Sequence, residues 1–132
     1  MGSGELEKTR EIEQIIDDMI LLALRYEKST NGRKIGITGE VGEVKTCKLL
    51  SLKLAPFMEK GYDGIAPDNT RYQIKTRRKM EPPESGKVPA FKNEDFEIAV
   101  LTMLNEEYMV DSISMLPKNE LLQFLSGDLT KP

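Results

Sequence analysis

Apolar residues between Glu5 and Lys28 fall at Ile12, Ile15, Ile16, Met19, Ile20, Leu22, Ala23 and Tyr26, three and four apart. That spacing lays an apolar stripe along one face of a helix, which must then be buried against something. Acids crowd the first half of the stretch, and Arg25 and Lys28 close it, the polarity that a helix dipole favours. Further along, the runs become short. Tyr62 to Ala66 and Arg71 to Thr76 flank the turn-rich Pro67-Asp68-Asn69-Thr70 and read as a β-hairpin. Phe96 to Leu104 and Tyr108 to Leu116, joined by Asn105-Glu106-Glu107, read as two more strands. Helix signals followed by strand signals predict a single α/β domain over residues 1–132, with a mainly antiparallel or mixed sheet of about four strands flanked by helices.

The remaining segments fit between these elements. Ser29-Thr30-Asn31-Gly32 signals a loop, and Thr38 or Gly39 opens a second helix running to about Leu54. Val41, Val44, Cys47, Leu49, Leu50 and Leu54 turn inward from it, while Glu40, Lys45, Lys48 and Lys53 stay wet. Lys79 to Asn93 carries Pro82, Pro83, Ser85, Gly86 and Pro89 and reads as a long surface loop. Pro117 opens a last helix, Lys118 to Leu125, stopped by Ser126-Gly127. The domain thus divides into an N-terminal helix (5–28), a core (39–116) and a C-terminal helix (117–126).

Composition narrows the chemistry. Histidine is absent from all 132 residues, which removes imidazole bases and histidine-held metals together. Cys47 is the single cysteine, so there is no internal disulfide or cysteine zinc cluster, and it reads as a small buried hydrophobe. No apolar run approaches the roughly 20 residues that a membrane span needs, and no secretory signal is visible; a reducing cytoplasm is the expected compartment. The net charge is -3, unevenly spread: residues 28–79 hold 12 Lys/Arg against 5 Asp/Glu, and the rest 7 against 17. This describes either a basic working face on an acidic body or two solvated surfaces that happen to segregate.

The hairpin holds the most specific pattern. In a strand, Gln73 and Lys75 share a face while Ile74 points into the core. With the turn centred on Asp68 and Asn69, antiparallel pairing brings Asp63 opposite residues 73–75. A carboxylate, an amide oxygen and the backbone carbonyl of Ile74 form an all-oxygen set suited to Mg2+ or Mn2+. An ammonium beside such an ion offsets charge growing on a phosphoryl oxygen. Tyr62 and Tyr72 read as sheet-face packing.

Asp63, nine intervening residues and then Gln73-Ile74-Lys75 resembles the PD-(D/E)xK nuclease superfamily, the fold of restriction endonucleases. The family sets a glutamate-bearing helix ahead of the hairpin, and Gly42-Glu43 fits that position, with Glu40 as the competing candidate one turn earlier. The resemblance covers roughly residues 39–104. It implies a metal-dependent DNA endonuclease in which Asp63, Gln73 and Glu43 arrange Mg2+ or Mn2+ and Lys75 is the catalytic lysine. Arg71, Arg77, Arg78 and Lys79 would hold phosphates. Two departures accompany it: Gln73 stands where the family more often has Glu or Asp, and Phe96 to Leu116 reads as a hairpin where the family usually has a helix between its third and fourth strands. The alternative is an inactive fold of the same type that binds nucleic acid or serves assembly. A homodimer is a further expectation, through the first helix or an exposed strand edge.

Overall fold

The first helix forms as its spacing dictates. In the computed structural model, which describes residues 3–59, 61–79 and 95–121, α1 runs Ser3–Ser29 and α2 runs Thr38–Leu50. The second helix ends before Leu54, where the apolar pattern alone would carry it. Ser51 takes left-handed backbone at φ 56°, its N–H bonds the Lys48 carbonyl, and the Leu52 N–H bonds that of Cys47. This closure satisfies the last helical carbonyls and releases Lys53–Leu54 as a short strand, β1.

Four further strands follow: β2 (Gly64–Ile65), β3 (Arg71–Arg78), β4 (Ile98–Leu104) and β5 (Val110–Pro117). They lie in sequence order across one five-stranded sheet. The expected hairpin is present: Gly64 pairs Tyr72 and Ile65 pairs Arg71. Its turn is closed by the Ala66 N–H to Thr70 carbonyl and Asn69 N–H to Ala66 carbonyl bonds, with Asn69 at φ 71°.

The sheet departs from the sequence expectation at its centre. It has five strands rather than about four, and β3 and β4 run parallel in full register from Tyr72 with Ile98 to Arg78 with Leu104. The other pairs are antiparallel, which makes the sheet mixed. Parallel neighbours need a crossover of about a dozen residues or more, and the segment after Lys79 supplies that length. Asn105-Glu106-Glu107 permits only a hairpin, which is what joins β4 to β5. The long loop expected at Lys79 to Asn93 therefore falls in a crossover, and residues 80–94 lie outside those described. The chain is helical again at 118–121; the rest of the expected C-terminal helix also lies outside. No helix among the described residues is long and apolar enough to cross a membrane.

Both helices lie on the face of β3 that carries Ile74, Thr76 and Arg78. Ile74 packs with Cys47 and Val100, while Ile16, Ile20 and Ala23 of α1 meet Val41, Val44, Leu104 and Tyr108. Contact of α2 with the sheet is close. The Thr46 and Thr102 hydroxyls bond each other at 2.6 Å in the interior. Gly42 lies against Thr76, where a Cβ would come 1.8 Å from its Oγ1. Beyond it, Arg78 turns its guanidinium inward, to Glu27 of α1 at 2.6 and 2.9 Å, to the Glu106 carbonyl and to the Tyr108 hydroxyl at 3.1 Å. The guanidinium also covers the Tyr108 ring, 3.9 Å from its centre.

Glycine at 42 is a packing requirement rather than a helix preference. Gly42→Ala should lower stability by about 1–3 kcal/mol, because overpacking outweighs the roughly 1 kcal/mol gained in helix propensity. Gly39 has open space around its Cα, so Gly39→Ala should raise stability slightly, by about 0.5 kcal/mol. Urea unfolding midpoints with unchanged slopes would report both.

Candidate functional site

Strands of unequal length create the site. β2 has two residues and β3 has eight, so β3 continues beyond the end of its neighbour, with that edge unpaired by any strand among the described residues. Asp63, just before β2, occupies the place where pairing stops. Its N–H donates to the Tyr72 carbonyl at 2.8 Å, its Oδ2 accepts the Ile74 N–H at 2.7 Å, and its own carbonyl accepts the Ala55 N–H at 2.9 Å. The backbone of Asp63 is thereby fixed on both sides, and its carboxylate is held by the Ile74 N–H. In an extended strand the N–H and C=O of one residue point the same way, so the Ile74 carbonyl faces this edge too.

Gln73 lies between the two backbone groups that hold Asp63. It is only 6% exposed, and its Oε1 has no hydrogen-bond partner. A buried amide oxygen left in this state costs about 1–3 kcal/mol and calls for a ligand or a reason. Thr76 Oγ1, pressed against Gly42, is the other such atom among the described residues. Lys75 shares the sheet face of Gln73 by strand alternation.

The close approach at Gly42 sets the next residue, Glu43, against the same edge. Burial pushes its carboxyl up to about 7; the negative charges of Asp63 and Glu40 add to the effect, and Lys75 pulls the other way. These four side chains share one local field. Glu43 is half-buried, whereas Glu40 is exposed in the first turn of α2. Cys47, one turn after Glu43, packs where a Cβ on Gly64 would come 2.9 Å from its Sγ. Burial, then Glu43 and Asp63, push its thiol up to about 12, in keeping with a packing role.

The cations around the hairpin are dispersed. Arg71 bonds Glu97 through Nε at 3.2 Å and through a second nitrogen at 2.5 Å. Lys79 pairs with Asp111. Arg78 is in the core, so the basic run after Lys75 is not one exposed strip. By alternation Arg77 lies on the face of Gln73 and Lys75. Tyr62 and Tyr72 are half-buried and pack against separate core clusters, as expected.

Sequence reasoning passed over Glu27 and Tyr108, which fix Arg78. A signal for Glu27 existed: it continues the 16–20–23 row of buried apolar positions, and an acid on a core face implies a buried cation.

The donor set fits a hard divalent cation. Among the described residues no three of His, Cys, Asp and Glu come together. The set is instead two carboxylates, Asp63 and Glu43, the orphaned amide oxygen of Gln73 and the Ile74 carbonyl, all oxygen, as Mg2+ or Mn2+ prefers. No protein-family model matches the sequence, and no curated protein matches it. The fold is α/β with a mixed sheet, and the geometry of this edge carries the functional reading.

A raised carboxyl has a definite pH signature. Below the unfolded value of 4.5 Glu43 is protonated in both states; between 4.5 and about 7 the unfolded chain ionises first, so stability falls as pH rises. Solvent screening reduces the size to about 1–2 kcal/mol. Glu43→Gln should remove this decline and raise stability above pH 7, as measured by denaturant unfolding at pH 5 and pH 8.

Proposed function

We propose that the protein is a metal-dependent DNA endonuclease on a restriction endonuclease-like fold, a PD-(D/E)xK site with Gln73 in the second acidic position. The observation that carries this reading is the buried, unpartnered Oε1 of Gln73, the residue before Ile74, whose N–H holds the Asp63 carboxylate. An amide oxygen placed there without a protein donor is accounted for by a cation. The strand order supports the same reading: β3 and β4 are parallel and joined by a crossover, where this family carries its helix. The hairpin of β4 and β5 is then a later feature of the sheet and no departure from that pattern.

In this reading Asp63, Gln73 Oε1 and the Ile74 carbonyl hold Mg2+ or Mn2+, with Glu43 completing the set. Such an ion polarises a phosphoryl oxygen and favours hydroxide at neutral pH. The Ile74 N–H keeps the Asp63 carboxylate aimed at the edge, and Glu43, poised near neutrality, holds or releases a proton there. The Lys75 ammonium offsets negative charge that grows on the phosphoryl oxygens during in-line attack by water. Lys75 and Arg77, on one sheet face, meet the flanking phosphates, which positions the strand without reading its sequence.

Purified protein with Mg2+ or Mn2+ should cleave DNA. Lys75→Ala and Asp63→Ala should each reduce the rate by about 10^2-fold or more with far-UV circular dichroism unchanged. Binding of DNA without cleavage, insensitive to EDTA, would instead support an inactive nucleic-acid-binding module, in which Gln73 marks the lost acid. Neither cleavage nor DNA binding in either metal would overturn the proposal.

A further inference from the structure

Helix α1 has two apolar faces, and α2 with the Leu104–Tyr108 end of the sheet covers one. Ile16, Ile20 and Ala23 are buried. Roughly a quarter-turn away, Ile12, Ile15, Met19, Leu22 and Tyr26 form a second row that stays 36–56% exposed. Scattered exposed apolar residues are ordinary, but a contiguous row marks an interaction surface. The spacing is three, four, three, four, the a and d positions of a heptad seam. Most of the row turns away from α2: Glu13, which pairs with Lys48 of α2 at 3.6 Å, lies on the other flank of the helix, and of the row only Ile12 borders the groove lined by Val44, Cys47 and Lys48.

Charge selects the occupant. Glu11, Asp18 and Arg25, seven apart, run along the outer border of the row. Residues 11–18 hold Glu11, Glu13, Asp17 and Asp18 and no cation, whereas Arg25 and Lys28 lie near the end. Two copies aligned in parallel would set acid against acid. Two antiparallel copies set Arg25 of one against Glu11 of the partner subunit, and the reverse. They also bring Met19 onto the two-fold axis, Ile15 beside Leu22 of the partner subunit and Ile12 beside Tyr26 of the partner subunit. Asp18, the like charge nearest the axis, is held along its own helix by Gln14 at 3.0 Å. We infer that a second copy of this chain covers the row, in an antiparallel two-fold pair of α1 helices. This inference is independent of any nuclease activity.

Light scattering on the full chain should give about twice the 14.9 kDa of one copy, and Leu22→Glu should give the single mass. Should Leu22→Glu fail to fold, the border charges supply the test. Glu11→Arg or Arg25→Glu should each weaken the dimer about tenfold, a difference of about 1.4 kcal/mol, and the double exchange should restore it. Orientation is read by disulfide formation against the buried Cys47 background: Met19→Cys should cross-link to itself on mild oxidation and Ile12→Cys should not. A single mass at every concentration would overturn the inference. So would self-cross-linking through Ile12→Cys, with or without Met19→Cys, which indicates a parallel pair.

Discussion

A guanidinium cannot give up its proton in a protein, so once Arg78 is turned into the interior each of its donors needs an acceptor and its charge needs a counter-charge. Three parts of the chain meet that demand together. The Glu27 carboxylate comes from the last turn of α1, the Glu106 carbonyl from the β4–β5 turn, and the Tyr108 ring and hydroxyl from the residues after it. The hydrogen bond from Arg78 holds the Glu27 carboxyl below its ordinary range. Removing one partner of such a pair typically costs about 3–5 kcal/mol, because the other charge stays buried alone. The conformation of the turn follows from the same demand: Tyr108 takes φ 65°, backbone that a bulky residue adopts only when its surroundings enforce it. The last turn of α1, the end of β3 and the β4–β5 turn are thus joined through this one side chain.

The candidate site lies earlier along the same strand, at the edge that β2 leaves. Its existence depends on β2 ending early, so that a side chain, Asp63, takes the backbone donor that another strand residue would have taken. Gly42 allows α2 to descend onto Thr76, and Glu43 is delivered to the edge as a result. A longer β2 or a larger residue at 42 would each close the same space, one by pairing and one by lifting the helix. Fold and site therefore share their constraints, and they leave the buried oxygen of Gln73 without a hydrogen-bond partner.

Much of the fold was legible because it is local. The apolar spacing of residues 12–26 defines α1, and the turn at 67–70 defines the hairpin and brings Asp63 opposite residues 73–75. The alternation that sends Ile74 inward also sends Thr76 and Arg78 inward, so the burial of Arg78 was readable from the same period, although its run of cations suggested a phosphate-facing strip. What could not be read is non-local. The parallel pairing of β3 with β4 joins residues whose connecting segment gives length but no direction. The burial of Gln73 depends on what packs over it, and the partial burial of Glu43, where Glu40 stays exposed, depends on the close approach of α2 to Thr76.

The partners of Arg78 also bear on the order in which the molecule can be made. Glu27 lies 51 residues before Arg78 and 81 before Tyr108. During synthesis α1 leaves the ribosome first, yet its anchor is complete only when the β4–β5 turn has emerged, about 4–16 s later at ordinary elongation rates. For that interval α1 has α2 to pack against but lacks Leu104 and Tyr108, the part of its cover that comes from the sheet. The side chain of Arg78 has its full set of acceptors only when α1 and the β4–β5 turn are both present, so the contact that joins these distant parts closes late.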